Sequence, residues 1–313
     1  PEDPSARRSR ARRGLLRTVA LAAALGLALL GISSVVSSRR ARAEEQRQLV
    51  AEARRLLDKD SWAAYRDAQA TCERAAELGG DGAAQAHGCA AWAAAVRWAE
   101  HGDGEPMRAK AVEHLSSAGA DADRPRDAVL AAAWLKLHGG DAKGAVDLLR
   151  ARSAADPSAP VRAALGAALG ESGDADGARD ELLAAQQLAP GSPRIAQQLA
   201  DQLRRRGGDG PEHAAMLYEI VLQKLAHEHV PSLIGKARLL VDAKSGPAAL
   251  VVAHRVSELK EQASPRQRAR ALALESRALA LEGRKAEAEA AERDARALDA
   301  GAPELREPLA QAR

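Results

Sequence analysis

The stretch Val161-Arg-Ala-Ala-Leu165-Gly166-Ala-Ala-Leu169 is followed by Gly173-Asp174, then by Ala178-Arg-Asp-Glu-Leu182-Leu-Ala-Ala185, and closes on Leu188-Ala-Pro190. Leu165 and Leu169 are one helical turn apart, as are Ala178 and Leu182, with Ala185 three residues further on. Each set forms an apolar stripe along one helix. Gly-Asp supplies a tight turn between the helices, and Pro190 stops the second. Gly166 is a poor helix former, so its use is to let another backbone approach, with Ala178 as the small partner. Such a hairpin cannot bury its own apolar stripes and calls for neighbours of the same kind.

The neighbours are present. Turns within pairs fall at Gly102-Asp103, Gly140-Asp141, Gly173-Asp174, Gly207-Gly208, Ser245-Gly246 and Gly283-Arg284, with successive turn glycines 33 to 39 residues apart. Small residues open the second helices (Ala145 with Leu149, Ala214 with Tyr218, Ala249 with Ala253), and prolines mark the joints (Pro125, Pro157, Pro160, Pro193, Pro231, Pro265, Pro303). A helix–turn–helix period of about 34 residues resembles the tetratricopeptide repeat family. The resemblance is closest over 126–190 and implies an all-α superhelical solenoid of about seven hairpins whose first helices line a concave, protein-binding face. It departs from the family pattern in its aromatics: the chain has no Phe, and Leu or Ala fills those places.

Composition agrees with that reading. The 313 residues are 46% hydrophobic but only 2% aromatic, which suits closely packed Ala/Leu helices and argues against a β-sheet core. Net charge is +3 with acids and bases interleaved, a solvated surface and not a nucleic-acid footprint. The chain starts at Pro1 without Met, which points to a processed product or a piece of a longer chain.

Residues 1–17 form a basic arm with six arginines. Residues 18–36 carry no charge, and nineteen helical residues span roughly 28 Å, about one bilayer core. We read this run as a single transmembrane helix. The alternative is a signal peptide cleaved after Ala43, but the run is long for that and Arg39, Arg40 and Arg42 follow it. Six arginines before the run against three after it place the N-terminus in the cytoplasm and the repeats outside. The expected organisation is a basic cytoplasmic arm (1–17), a bacterial inner-membrane span (18–36), a short basic linker (37–43), a periplasmic or extracytoplasmic solenoid (44–302) and a C-terminal capping helix (303–313). Residues 118–127 form the longest joint between pairs.

No catalytic constellation, cofactor motif or small-molecule site stands out. Cys72 and Cys89 fall on neighbouring helices, as a disulfide or as two buried thiols. A metal site adding His87 lacks a fourth ligand. His227 and His229 project about 200° apart on a helix and do not face one metal. Trp92 and Trp134 lie on the first helices of consecutive repeats and point toward the groove, with Trp98 toward the repeat core. They are candidate anchors for a partner peptide or helix, and Arg194, Gln197, Arg204 and Arg205 are a candidate basic wall for an acidic segment. Tetratricopeptide co-chaperones that grip a C-terminal carboxylate use Lys and Asn at groove sites where this sequence has Ala163 and Ala167. The expected function is a non-enzymatic scaffold in a cell-envelope machine for secretion, pilus formation, motility or wall assembly. The rival is the membrane-spanning and sensor part of a bacterial receptor Ser/Thr kinase.

Overall fold

The computed structural model describes residues 33–34, 36–120 and 124–306. Among them the chain is helical throughout, in seven antiparallel pairs. The pairs are α1 (36–57) with α2 (Trp62–Glu77), α3 (Ala83–Val96) with α4 (Glu105–Ser117), α5 (Arg126–His138) with α6 (Ala142–Ala155), α7 (Ala159–Glu171) with α8 (Ala175–Leu188), α9 (Pro193–Arg206) with α10 (Gly210–Ile220), α11 (Val230–Asp242) with α12 (Gly246–Glu258), and α13 (Pro265–Leu281) with α14 (Lys285–Asp299). Single π-turns, Arg97–His101 and Val221–Leu225, extend α3 and α10, and a 3-10 turn, Pro303–Arg306, ends the described chain.

The turn chemistry repeats. Gly140 and Gly173 adopt φ of 92° and 93°, a left-handed conformation that ends the first helix cheaply. The next residue, Asp141 or Asp174, caps the second helix by accepting from Gly144 N at 2.8 Å or Gly177 N at 2.9 Å. Ser61 does the same at α2, and Ser192 and Ser264 at α9 and α13, the helices entered from joints.

Stacking buries the stripes. α3, α5, α7, α9, α11 and α13 pack in order as one row, with the second helices laid against it. Leu165, Leu169, Ala178, Leu182 and Ala185 are all buried. A Cβ on Gly166 would lie 2.7 Å from Leu182 Cγ and 3.0 Å from the Ala178 carbonyl oxygen, so α7 and α8 meet as closely as the sequence implied. α3 is almost wholly alanine and glycine on its buried side, which lets α2, α4 and α5 all crowd against it.

The coil closes on itself. Arg266 at the start of α13 donates to the Ala99 carbonyl at 3.0 Å, and the Trp62 amide donates to the Gln262 carbonyl at 3.2 Å. The second hairpin therefore touches the last, and the first touches the joint that leads into it.

Residues 37–43, expected as a linker, are helical and continuous with α1, because Arg39, Arg40, Ala41, Arg42 and Ala43 are good helix formers. The expected terminal helix is a 3-10 turn as far as Arg306. Its Glu304 is buried and bound by Arg270 at 2.9 Å, while 307–313 lie outside the described residues. The arm at 1–17 and nearly all of the 18–36 run also lie outside them. Among the described residues no helix is long and apolar enough to cross a membrane.

Candidate functional site: a cleft on the inner face

The first helices place Trp92 (α3), Trp134 (α5) and Arg194 (α9) together. The two indoles meet edge to face, with centroids 5.4 Å apart and planes at 74°. The Arg194 guanidinium sits 5.8 Å from the Trp92 centroid and 5.5 Å from that of Trp134. Beside them is a cavity of about 250 Å³. Its apolar lining includes Leu57, Leu130, Ala163 and Ile195, and its polar lining includes Arg54, Arg126, Asp58 and Asp127. Asp127 is buried and takes Arg54 at 2.9 Å and Arg126 at 3.2 Å. Asp58 is held above the usual carboxylate range by burial, with Arg126 opposing.

Behind the cleft, Arg194 is committed to the protein. It donates to Asp60 Oδ1 at 2.7 Å, lies 3.1 Å from Tyr65 Oη and pairs with both oxygens of Glu100. Tyr65 donates to Asp60 at 2.7 Å, and His229 Nε2 lies 3.0 Å from the other Asp60 oxygen. His229 Nδ1 faces Ser232 Oγ at 2.8 Å. Burial works to raise the Asp60 carboxyl. Arg194 and the hydrogen bonds from His229 and Tyr65 outweigh it and hold the group well below the usual carboxylate range. Burial likewise pushes the Tyr65 phenol up.

Ser232, His229 and Asp60 have the residue types of a hydrolytic relay. Ser232 is fully buried, however, and its hydroxyl sits one helical turn from its own histidine. The arrangement reads as a brace that satisfies buried polar atoms.

The other proposed groove residues lie apart. Gln197 donates to Asp201 one turn along at 2.5 Å. Arg204 and Arg205, at the far end of α9 from Arg194, pair with Asp242 on α11 and Glu171 on α7, both at 3.0 Å. The four do not form one free basic wall, because each cation already has a carboxylate. Trp98 is half-buried, edge-on to His138 and under Arg108. Cys72 and Cys89 are joined by a disulfide, with Cα atoms 5.9 Å apart, pinning α2 to α3. His87 faces His114, not the cysteines. Among the described residues no group of three or more His, Cys, Asp or Glu is arranged to hold a metal.

Asp60 and Glu100 were not singled out from sequence, and His229 was considered there only as a metal ligand. The contacts that bring Arg194 to Glu100 and His229 to Asp60 span 94 and 169 residues, and no local spacing signals them.

No protein-family model and no curated protein matches the chain. Among solved structures it is similar to PilF from Pseudomonas aeruginosa, at 21% identity and TM-score 0.45 over 71% of this chain and 96% of that one. It is also similar to a tetratricopeptide repeat protein from Parabacteroides merdae, at 12% identity and TM-score 0.52 over 82% of this chain and 94% of that one. Taken with the seven stacked hairpins, the second likeness shows that the fold is a tetratricopeptide-type solenoid.

Proposed function

We propose that the chain is a non-enzymatic protein-interaction scaffold that seats an apolar side chain of a partner segment in the Trp92–Trp134 cleft. The observation that carries this reading is the cleft itself: two indoles and an aliphatic floor beside charged groups, on the inner face of a helical stack. Its volume, about 250 Å³, falls below the roughly 300–1,000 Å³ usual for small-molecule sites and suits one anchoring side chain. Closure of the coil by Asp60, Arg194 and Arg266 favours such a local anchor over a peptide threaded along the whole groove.

The scaffold is attached to the bacterial inner membrane through 18–36, with the repeats outside the cytoplasm as part of an envelope complex. The uncharged run and the arginine asymmetry support this, and so does the disulfide, which suits an oxidising compartment.

Photo-crosslinking tests the cleft. With a photo-reactive residue at Ala163, which lines the cavity, a specific adduct is expected in native membranes. The control is Val251, which is exposed on α12. Adducts at Val251 with none at Ala163 would overturn the assignment.

A further inference from the structure

His87 on α3 and His114 on α4 face each other within the second hairpin. Their Nδ1 atoms are 3.0 Å apart and their ring centroids 5.3 Å apart. The second distance exceeds the first by about the width of one five-membered ring. Both nitrogens therefore lie close to the line joining the ring centres, and the contact holds only with one proton between them. A metal ion held on that line would need the nitrogens about 4 Å apart. The geometry is that of a shared proton.

The surroundings fix how many protons the pair can carry. His114 Nε2 faces Glu73 Oε1 on α2 at 3.4 Å, so it keeps its hydrogen. The same carboxylate takes Lys110 of α4 at 3.3 Å and Gln69 of α2 at 2.8 Å. Glu113 on α4 is a further charged neighbour of His87. Burial and the facing His114 push His87 below the usual histidine range, with Glu113 opposing. Three protons on the four ring nitrogens preserve the contact and give one positive charge. A fourth sets two N–H groups head to head.

The helix held by this contact is thinly anchored. Only Ala111 and Leu115 of α4 are buried, against nine residues of α3. It is entered through Gly102 and Gly104, with φ of 75° and 79°, and left through Gly119, with φ of 102°. Glycines at both ends let it swing without rebuilding its neighbours.

We propose that the His87–His114 pair is a proton-operated latch, which holds α4 on α3 while it carries at most one charge and releases α4 when mild acid adds a second. Release uncovers the alanine face of α3.

The test is amide hydrogen exchange of the full chain at about pH 7.5 and about pH 5.0, corrected for intrinsic rates, with α6 as internal reference. Protection across α4 is expected to fall about tenfold more than across α6 on acidification. His87→Asn keeps a donor toward His114 without a second ring to charge, and should leave α4 protected at both pH values. If that variant does not fold, imidazole nitrogen shifts of the unaltered chain decide, since a latch titrates as one coupled pair. Unchanged α4 protection, an identical pH response in His87→Asn, or two independent imidazole titrations would each overturn the proposal.

Discussion

Asp60 is a buried carboxylate bound by Arg194, Tyr65 and His229 at once. Removing Asp60 leaves Arg194 to Glu100 alone and takes the acceptor from buried Tyr65 and His229, and breaking a buried pair of this kind costs about 3–5 kcal/mol. Asp60→Ala should lower unfolding stability by that order in urea titrations, whereas Arg205→Ala, which loses an exposed ion pair and a hydrogen bond to Gln202, should cost about 1 kcal/mol. Because the Asp60 carboxyl is held down in the folded state, its contribution is present above the unfolded value of 3.8 and is lost as pH falls through the folded one. His101 acts in a higher window. It is buried with neither ring nitrogen hydrogen-bonded, and burial pushes it below its unfolded value of 6.5, nearby Glu100, Asp60 and Asp103 opposing. Its neutral form is favoured on folding, so stability is full above 6.5 and declines as pH drops below it. A thermal scan series from about pH 7.5 to about pH 5.5 should show a falling Tm, and His101→Leu should flatten that fall.

At the scale of the helix, stability comes from alanine and leucine stripes that each hairpin buries against the next. Leu182, 2% exposed between α7 and α9, is one of the larger side chains in this core. Leu182→Ala should cost about 2–5 kcal/mol, while Asp174→Ala, which removes only the α8 cap, should cost about 1 kcal/mol. Denaturant titration of the two variants checks the ratio. The Cys72–Cys89 bond spans 17 residues between α2 and α3. Reducing it should destabilise the first hairpins by about 3 kcal/mol, seen as earlier exchange in α2 and α3. These elements were legible in the sequence because their signals are local: a Gly-Asp turn, a proline joint and leucines four apart each act within a few residues. The start of α1 was not, since arginines next to an apolar run read as a linker although arginine favours helix. The terminal cap was read as a helix over 303–313, and the buried pairing of Glu304 with Arg270 is a contact across 34 residues that local spacing does not signal.

At the scale of the molecule, a solenoid is held mainly by contacts between adjacent repeats. Here Arg266 reaches Ala99 across 167 residues, and Arg194 reaches Asp60 across 134. Those contacts should couple the ends. Arg266→Ala is expected to raise exchange in 97–103 despite the intervening sequence, and Arg194→Met to increase the radius of gyration in solution scattering. A strictly nearest-neighbour stack would show neither. Periodicity gave the first helices and so brought Trp92, Trp134 and Arg194 to one face. How tightly the coil curls depends on the summed small rotations between hairpins, which no window of sequence encodes. That is why Arg194 read as part of a basic wall and His229 only as a rejected metal ligand, while Asp60 went unremarked.

The same reach across the chain matters during synthesis. Asp60 leaves the ribosome early, and the side chains that neutralise it follow 134 and 169 residues later. At ordinary elongation rates that is roughly ten to thirty seconds. Through that interval the newborn first hairpin carries a carboxylate with Tyr65 as its one native partner in place, so its interior cannot be sealed until the fifth and sixth hairpins have been translated.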